Sequence, residues 1–151
     1  MKVKILAVGK EKSPEMRTLT QEYLKRLPWK VEILEIEPSK TGSIPEIKDA
    51  EGLKLLAKTG KNSFVVILDE KGTELSSHEF ADLFGKIARK GLSEVNFIIG
   101  GAHGHGDNIK KNADLELSLS KMTLPHKFAR IILCEQIYRA YSILENHPYH
   151  K

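Results

Sequence analysis

The sequence predicts an α/β fold with a mainly parallel sheet and helices on both of its faces. Three observations carry that expectation. Short apolar runs alternate along the chain with segments of helical periodicity, the pattern of strand–helix–strand units. Two of the runs, "SFVVILD" and "VNFIIGG", are almost continuously apolar, as strands are when covered on both faces. The chain has 151 residues, the size of one domain, and shows no repeat, low-complexity tract or linker.

The elements follow in order. "KVKILAV" is a short apolar strand ending at Gly9. "SPEMRTLTQEYLKRL" is a helix: Ser13 suits the N-cap and Pro14 the first helical position. Met16, Leu19, Tyr23, Leu24 and Leu27 then recur at helical spacing. "KVEILEIE" alternates as a second strand, and "SKTGSIP" is a loop. A second helix runs from Pro45 to Lys58, with Gly60 just beyond its end. "SFVVILD" is the third strand, and "DEKG" is expected to turn the chain. Ser76 and Glu79 form a capping box for a helix to Lys90, closed by Gly91. "VNFIIGG" and the strictly alternating "LELSLS" complete the strands.

"FARIILCEQIYRAYSILEN" is the final helix. Its apolar residues Phe128, Ile131, Ile132, Leu133, Ile137, Tyr138, Tyr141 and Leu144 spread around most of the circumference. A helix with one solvent face carries a narrower stripe. This one is either central in the monomer or packed on a second subunit. Cys134 reads as a small buried apolar residue.

Composition narrows the classes. There are 24 basic and 20 acidic residues, a net charge of +4. This mild excess permits a nucleic-acid partner, and an ordinary solvated surface gives the same count. The single cysteine forms no internal bridge. No apolar run approaches the roughly 18 residues of a membrane span, and "MKVKILAVG" is too short and strand-like for a secretory signal. A cytoplasmic protein without membrane contact is expected. His78, just inside a helix start, is expected to do nothing beyond solvation.

In parallel α/β sheets ligands sit at the carboxyl ends of strands. Three loops are therefore candidates: those after "VVILD", "NFIIGG" and "LELSLS". The second, "GGAHGHGD", has four glycines in seven residues and lets a backbone approach a ligand closely. It is neither a G-x-G-x-x-G fingerprint nor a P-loop. The third, "SLSKMTLPH", interleaves Ser118, Ser120 and Thr123 with Leu119, Met122 and Leu124, which suits an apolar ring with polar edges. The chain ends "NHPYHK", with the residue types that move protons and hold phosphates. His103 with His105, or His147 with His150, falls short of the three or four convergent ligands a metal site wants, so no metal is expected.

Together "GGAHG", "LSLSKMTLPH", "EQIYRAYSI" and "NHPYHK" resemble the small SPOUT-class RNA methyltransferases, specifically the RlmH family, which methylates N3 of a pseudouridine in 23S ribosomal RNA. "KVKILAVGK" and "EYLKRLP" fit as well, so the resemblance covers essentially the whole chain. The departure lies at His105 to Asp107, where the family pattern expects an apolar residue soon after the glycines. The resemblance implies a C-terminal trefoil-type α/β knot, a rare exception to the usual rules of chain connection. It implies S-adenosylmethionine as cofactor, a homodimer, and ribosomal RNA within an assembled particle as substrate. Carried over by motif, the cofactor-binding residues are Leu68, Gly100, Gly101, Leu119, Ser120, Lys121, Met122, Thr123 and Leu124.

The tail has a chemical reason under that resemblance. The acceptor nitrogen is an imide, a poor nucleophile while protonated. A group must take its proton or stabilise charge on the flanking carbonyls. Histidine titrates near neutrality. Tyr149 and His150 are the expected catalytic residues, with His150 the base. Arg139 and Lys151 are expected to contact RNA phosphate. Two rival classes remain at this stage: a non-catalytic RNA-binding module, and a metal-dependent hydrolase built on the histidines.

Overall fold

A computed structural model describes residues 1–151. Ten elements follow in the order β1 (Lys2–Val8), α1 (Pro14–Leu24), β2 (Lys30–Ile36), α2 (Ile44–Leu56), β3 (Ser63–Glu74), α3 (Ser77–Arg89), β4 (Glu94–Ile99), α4 (Asp107–Asn112), β5 (Leu115–Ser118) and α5 (His126–Leu144). The five strands form one sheet in the order β2-β1-β4-β3-β5, and every pairing is parallel.

Successive strand residues point to opposite faces, and the two cores divide along that alternation. Val3, Ile5 and Ala7 of β1, Val66 of β3, and Val95, Phe97 and Ile99 of β4 belong to the larger core. That core also holds Phe80 and Phe84 of α3 and Leu133, Ile137 and Ala140 of α5. Leu6, Val65, Ile67 and Ile98 point the other way and meet Leu55 of α2 and Ile109 of α4. Both faces of the sheet are covered, which explains the near-continuous apolar runs of β3 and β4.

The helix starts carry the expected chemistry. Ser13, Ser43 and Ser76 cap α1, α2 and α3 with their hydroxyls, and Ser76 forms the full reciprocal box with Glu79. Gly91 closes the turn after α3 at φ +78°, a region that favours glycine.

Three segments differ from the sequence reading. "DEKG" does not turn the chain back, because β3 continues through it to Glu74. Leu68 and Thr73 both pair with Leu117 of β5, so the register shifts and Asp69 to Gly72 bulge beside the partner strand. Gly72 permits this approach; a Cβ there would lie 2.6 Å from the carbonyl oxygen of Glu116. Second, β5 stops at Ser118, and Leu119 and Ser120 belong to the loop. Third, a short helix, α4, follows the glycine-rich loop; at six residues its periodic signal was too brief to read.

The chain's end is ordered by a Schellman motif. Asn146 takes φ +54°, the left-handed conformation asparagine tolerates. The His147 N–H then donates to the Ser142 carbonyl at 2.8 Å, and the Asn146 N–H to that of Ile143 at 3.3 Å. This reverses the chain and lays Pro148 to Lys151 back against α5.

Candidate active site

The bulge of β3 and the loops after β4 and β5 converge on one cleft of about 370 Å³. Leu68, Asp69 and Glu70 form one wall. Gly100 to His105 form the second, and Leu117, Leu119, Ser120, Met122, Thr123 and Leu124 the third. His126 and Ala129 of α5 close the base. Of the cofactor residues carried over by motif, only Lys121 lies outside this lining. Its ammonium is exposed and pairs with Glu74 at 3.6 Å.

Each wall is shaped by identifiable interactions. A Cβ on Gly100 would lie 3.1 Å from the His105 ring and 3.2 Å from the Gly104 backbone. A Cβ on Gly101 would meet the buried Glu51 carboxylate at 2.9 Å. The loop returns on itself through the Gly104 N–H, which donates to the Gly101 carbonyl at 3.0 Å, with Gly104 at φ +79°. In the third wall, the Ser120 hydroxyl accepts from the Met122 N–H at 3.0 Å. The Thr123 hydroxyl donates to the Glu70 carboxylate and so joins the third wall to the first. The N-terminal turn of α5 is pinned from outside by Lys127 on buried Glu11 at 3.6 Å and by Arg130 on Glu35 at 3.3 Å.

His105 joins the first and second walls. Its Nε2 lies 2.9 Å from the Leu68 carbonyl oxygen. A carbonyl only accepts, so Nε2 carries the proton. Burial lowers the His105 pKa below the ordinary histidine value, outweighing the opposite pull of the Leu68 carbonyl and Asp69.

The tail sits elsewhere. Tyr149 packs on Tyr138 with ring centroids 4.8 Å apart, and its hydroxyl donates to Glu135 at 3.1 Å. Burial and that carboxylate push the phenol up to about 12, so Tyr149 is a hydrogen-bond donor and stacking surface and not a base. Arg139 pairs with Glu135, lies 4.9 Å over the Tyr149 ring, and places a guanidinium nitrogen 3.0 Å from His150 Nδ1. A guanidinium only donates. His150 Nδ1 therefore accepts, and its free proton is on Nε2. His78 is not merely solvated: its ring meets that of His150 edge-on, centroids 4.7 Å apart. Lys151 is exposed. None of these tail residues lines the cleft of its own chain.

Sequence reasoning missed Asp69, Glu70, His105, Leu117, His126 and Ala129 as cleft residues. The strand-end rule points to the first two and Leu117. His126 and Ala129 depend on how α5 crosses the sheet, which no local pattern encodes. No group of three or more His, Cys, Asp or Glu side chains converges as a metal-binding set.

A parallel α/β sheet whose strand-end loops close on a glycine-floored, largely apolar cleft defines a nucleotide-sized ligand site of the kind found in small α/β transferases. Comparison with known proteins makes the class specific. The family described as "Predicted SPOUT methyltransferase" matches residues 1–150, and the chain belongs to it. With that membership comes the knotted α/β fold expected from the sequence. Relatives named "Ribosomal RNA large subunit methyltransferase H" align over the whole chain. The one from Paramagnetospirillum magneticum is 41% identical, with 99% of its length covered. Those from Clostridium kluyveri and Clostridioides difficile are 42% and 43% identical, each covered in full.

Proposed function

We propose that this chain is a cytoplasmic, homodimeric methyltransferase that transfers a methyl group from S-adenosylmethionine to N3 of a pseudouridine in 23S ribosomal RNA, acting on an assembled ribosomal particle. The observation that carries the reading is the convergence of the β3 bulge and the loops after β4 and β5 into one cleft, in a chain that matches its family over residues 1–150.

The residues present fit the donor. Gly100 lets the glycine loop pack closely in the cleft wall, and Leu68, Leu117, Leu119 and Leu124 offer apolar surface to an adenine ring. Backbone groups in the irregular loops serve the polar edge of the base. Bound there, S-adenosylmethionine supplies an electrophilic methyl on a positively charged sulfur. Asp69 and Glu70 border the cleft and complement that charge.

The tail completes the site in trans. Within one chain it lies on α5 beside the start of α3, away from the cleft. Phe128 and Leu144 of α5 and Leu19 of α1 are large apolar residues left 51%, 38% and 39% exposed, a surface suited to a second copy. In the dimer Tyr149 supplies a ring on which the target base stacks. His150, with Nδ1 held by Arg139, presents Nε2–H to a carbonyl oxygen beside the acceptor nitrogen and stabilises the charge that develops as the imide proton leaves. This differs from the sequence expectation of a general base, and the reason is the Arg139 contact.

The test is transfer from labelled S-adenosylmethionine to ribosomal particles, with the modified nucleotide identified by mass spectrometry. The reading expects label on N3 of one pseudouridine, with particles far better substrates than protein-free RNA. RNA binding without methyl transfer would instead support the non-catalytic RNA-binding module.

A further inference from the structure

The sequence reading set His105 apart because it stands where the family pattern expects an apolar residue. The structure gives this histidine three properties that an apolar side chain in the same place would not combine. It is buried, 7% exposed, in the wall of the cleft. Its ring lies against Gly100 closely enough that a Cβ there would come within 3.1 Å. Its Nε2–H is bound at 2.9 Å to the carbonyl of Leu68, thirty-seven residues earlier in the chain. Leu68 lies on β3 just before its bulge, Gly100 directly follows the adjacent parallel strand β4, and each opens one wall of the cleft. One side chain therefore sets the spacing of two of the three walls.

We propose that His105 is a positioning residue for the methyl donor: its neutral imidazole latches the glycine loop to β3 at the edge of its bulge, and protonation of that imidazole releases the loop and weakens donor binding. The proposal rests on the methyltransferase reading of the cleft.

The charge balance around the ring sets the direction. Asp69 on β3 and Glu116 on β5 favour a charged imidazole, Lys110 on α4 opposes it, and Lys48 and Glu51 of α2 border the pocket beneath the loop. Burial is the largest influence and opposes the charge, so the closed loop prefers the neutral ring. The bond to Leu68 would survive protonation, since Nε2 keeps its hydrogen. What fails is the burial of a cation, which is relieved only by opening the loop to water. Neutral His105 thus supports the closed cleft above the ordinary histidine range. That support falls as pH drops through the depressed value of the folded state.

The test is calorimetric titration with S-adenosylmethionine at pH 7.5 and pH 5.5, on the wild type, His105→Gln and His105→Leu. Glutamine places an amide N–H where Nε2 was and does not titrate. Leucine restores the apolar residue and removes the donor. Wild-type Kd is expected to weaken severalfold at the lower pH, because the closed loop disfavours the protonated ring that the open loop tolerates. H105Q should bind within about threefold of wild type at pH 7.5 and lose most of the pH response, since it keeps a neutral donor. H105L should bind more weakly than H105Q at pH 7.5. An acid-side loss in H105Q equal to that of the wild type overturns the proposal, as does H105L binding with wild-type affinity and pH response. Other titrating groups near the cleft, His103 and His126 among them, are common to all three proteins and cancel in the comparison. A wild type that shows no saturable binding at either pH defeats the methyltransferase reading itself, a result distinct from wild-type binding whose pH response His105→Gln shares.

Discussion

At the scale of single residues, the tail shows how a neighbour decides what a catalytic-looking side chain can do. A histidine and a tyrosine at a chain end read equally well as base, donor or stacking group. Arg139 resolves the histidine by occupying Nδ1 with a donor, and Glu135 resolves the tyrosine by accepting a hydrogen bond from its hydroxyl and holding the phenol protonated. A base and a donor respond differently to substitution. His150→Ala is expected to lower the single-turnover methylation rate by about 10²–10³-fold, the cost of one lost donor to developing charge. His150→Gln, which keeps an N–H but is no base at all, should recover part of that loss. Equal rates for the two variants, measured by quenched flow on ribosomal particles, would return His150 to the role of base or remove it from the chemistry. The residue identities were legible in the sequence. The tautomer was not, because it depends on a contact eleven positions away whose geometry only the folded helix and its reversed tail create.

At the scale of elements, β1, α1, β2, α2, α3, β4 and α5 were each legible because propensity, periodicity and capping agreed. Two elements, β3 and α4, were misjudged where a tertiary contact decided the outcome. "DEKG" has strong turn composition, yet pairing of Thr73 and Glu74 with β5 keeps β3 extended beyond it. The same pairing swings Asp69 and Glu70 into the cleft. α4 exists because Ile109 is driven into the core shared with α2, a pull that six residues do not announce. α3 matters to the site as well as to stability. Its first residues hold Gln136 through Ser77 at 2.8 Å and meet His150 through His78. Ser76→Ala removes the cap and half of the capping box, and should destabilise the protein by about 1 kcal/mol. Chemical denaturation checks this, with an unchanged denaturant slope expected. A variant as stable as wild type would mean that the α3 start is held by its packing on α5 alone.

At the scale of the whole molecule, the account requires that fold and assembly act together. The sheet brings the β3 bulge and the loops after β4 and β5 into one cleft, and the tail packs on α5 outside the cleft of its own chain. The parallel α/β class followed from the order of elements, whereas the knot did not, because threading leaves no trace in composition or periodicity and entered only through resemblance. The excess of apolar surface on α5 was visible in the sequence, and Phe128 and Leu144 remain exposed in the single chain, where a second copy would cover them. On the proposed reading, each cleft would then receive its stacking ring and its charge-stabilising donor from the other chain. Such an arrangement would couple activity to dimerisation while leaving donor binding a property of each chain's own cleft.

That separation identifies the most direct measurement. Calorimetric titration of the purified protein with S-adenosylmethionine, beside a Gly100→Val variant, reads the cleft alone. The account predicts one saturable site per chain in the wild type. In the folded variant it predicts at least a tenfold weaker one, because a side chain there would meet the His105 ring and the Gly104 backbone and displace the glycine loop from the cleft wall. The absence of saturable binding in the wild type, or a variant that binds the donor as tightly as wild type, would contradict it.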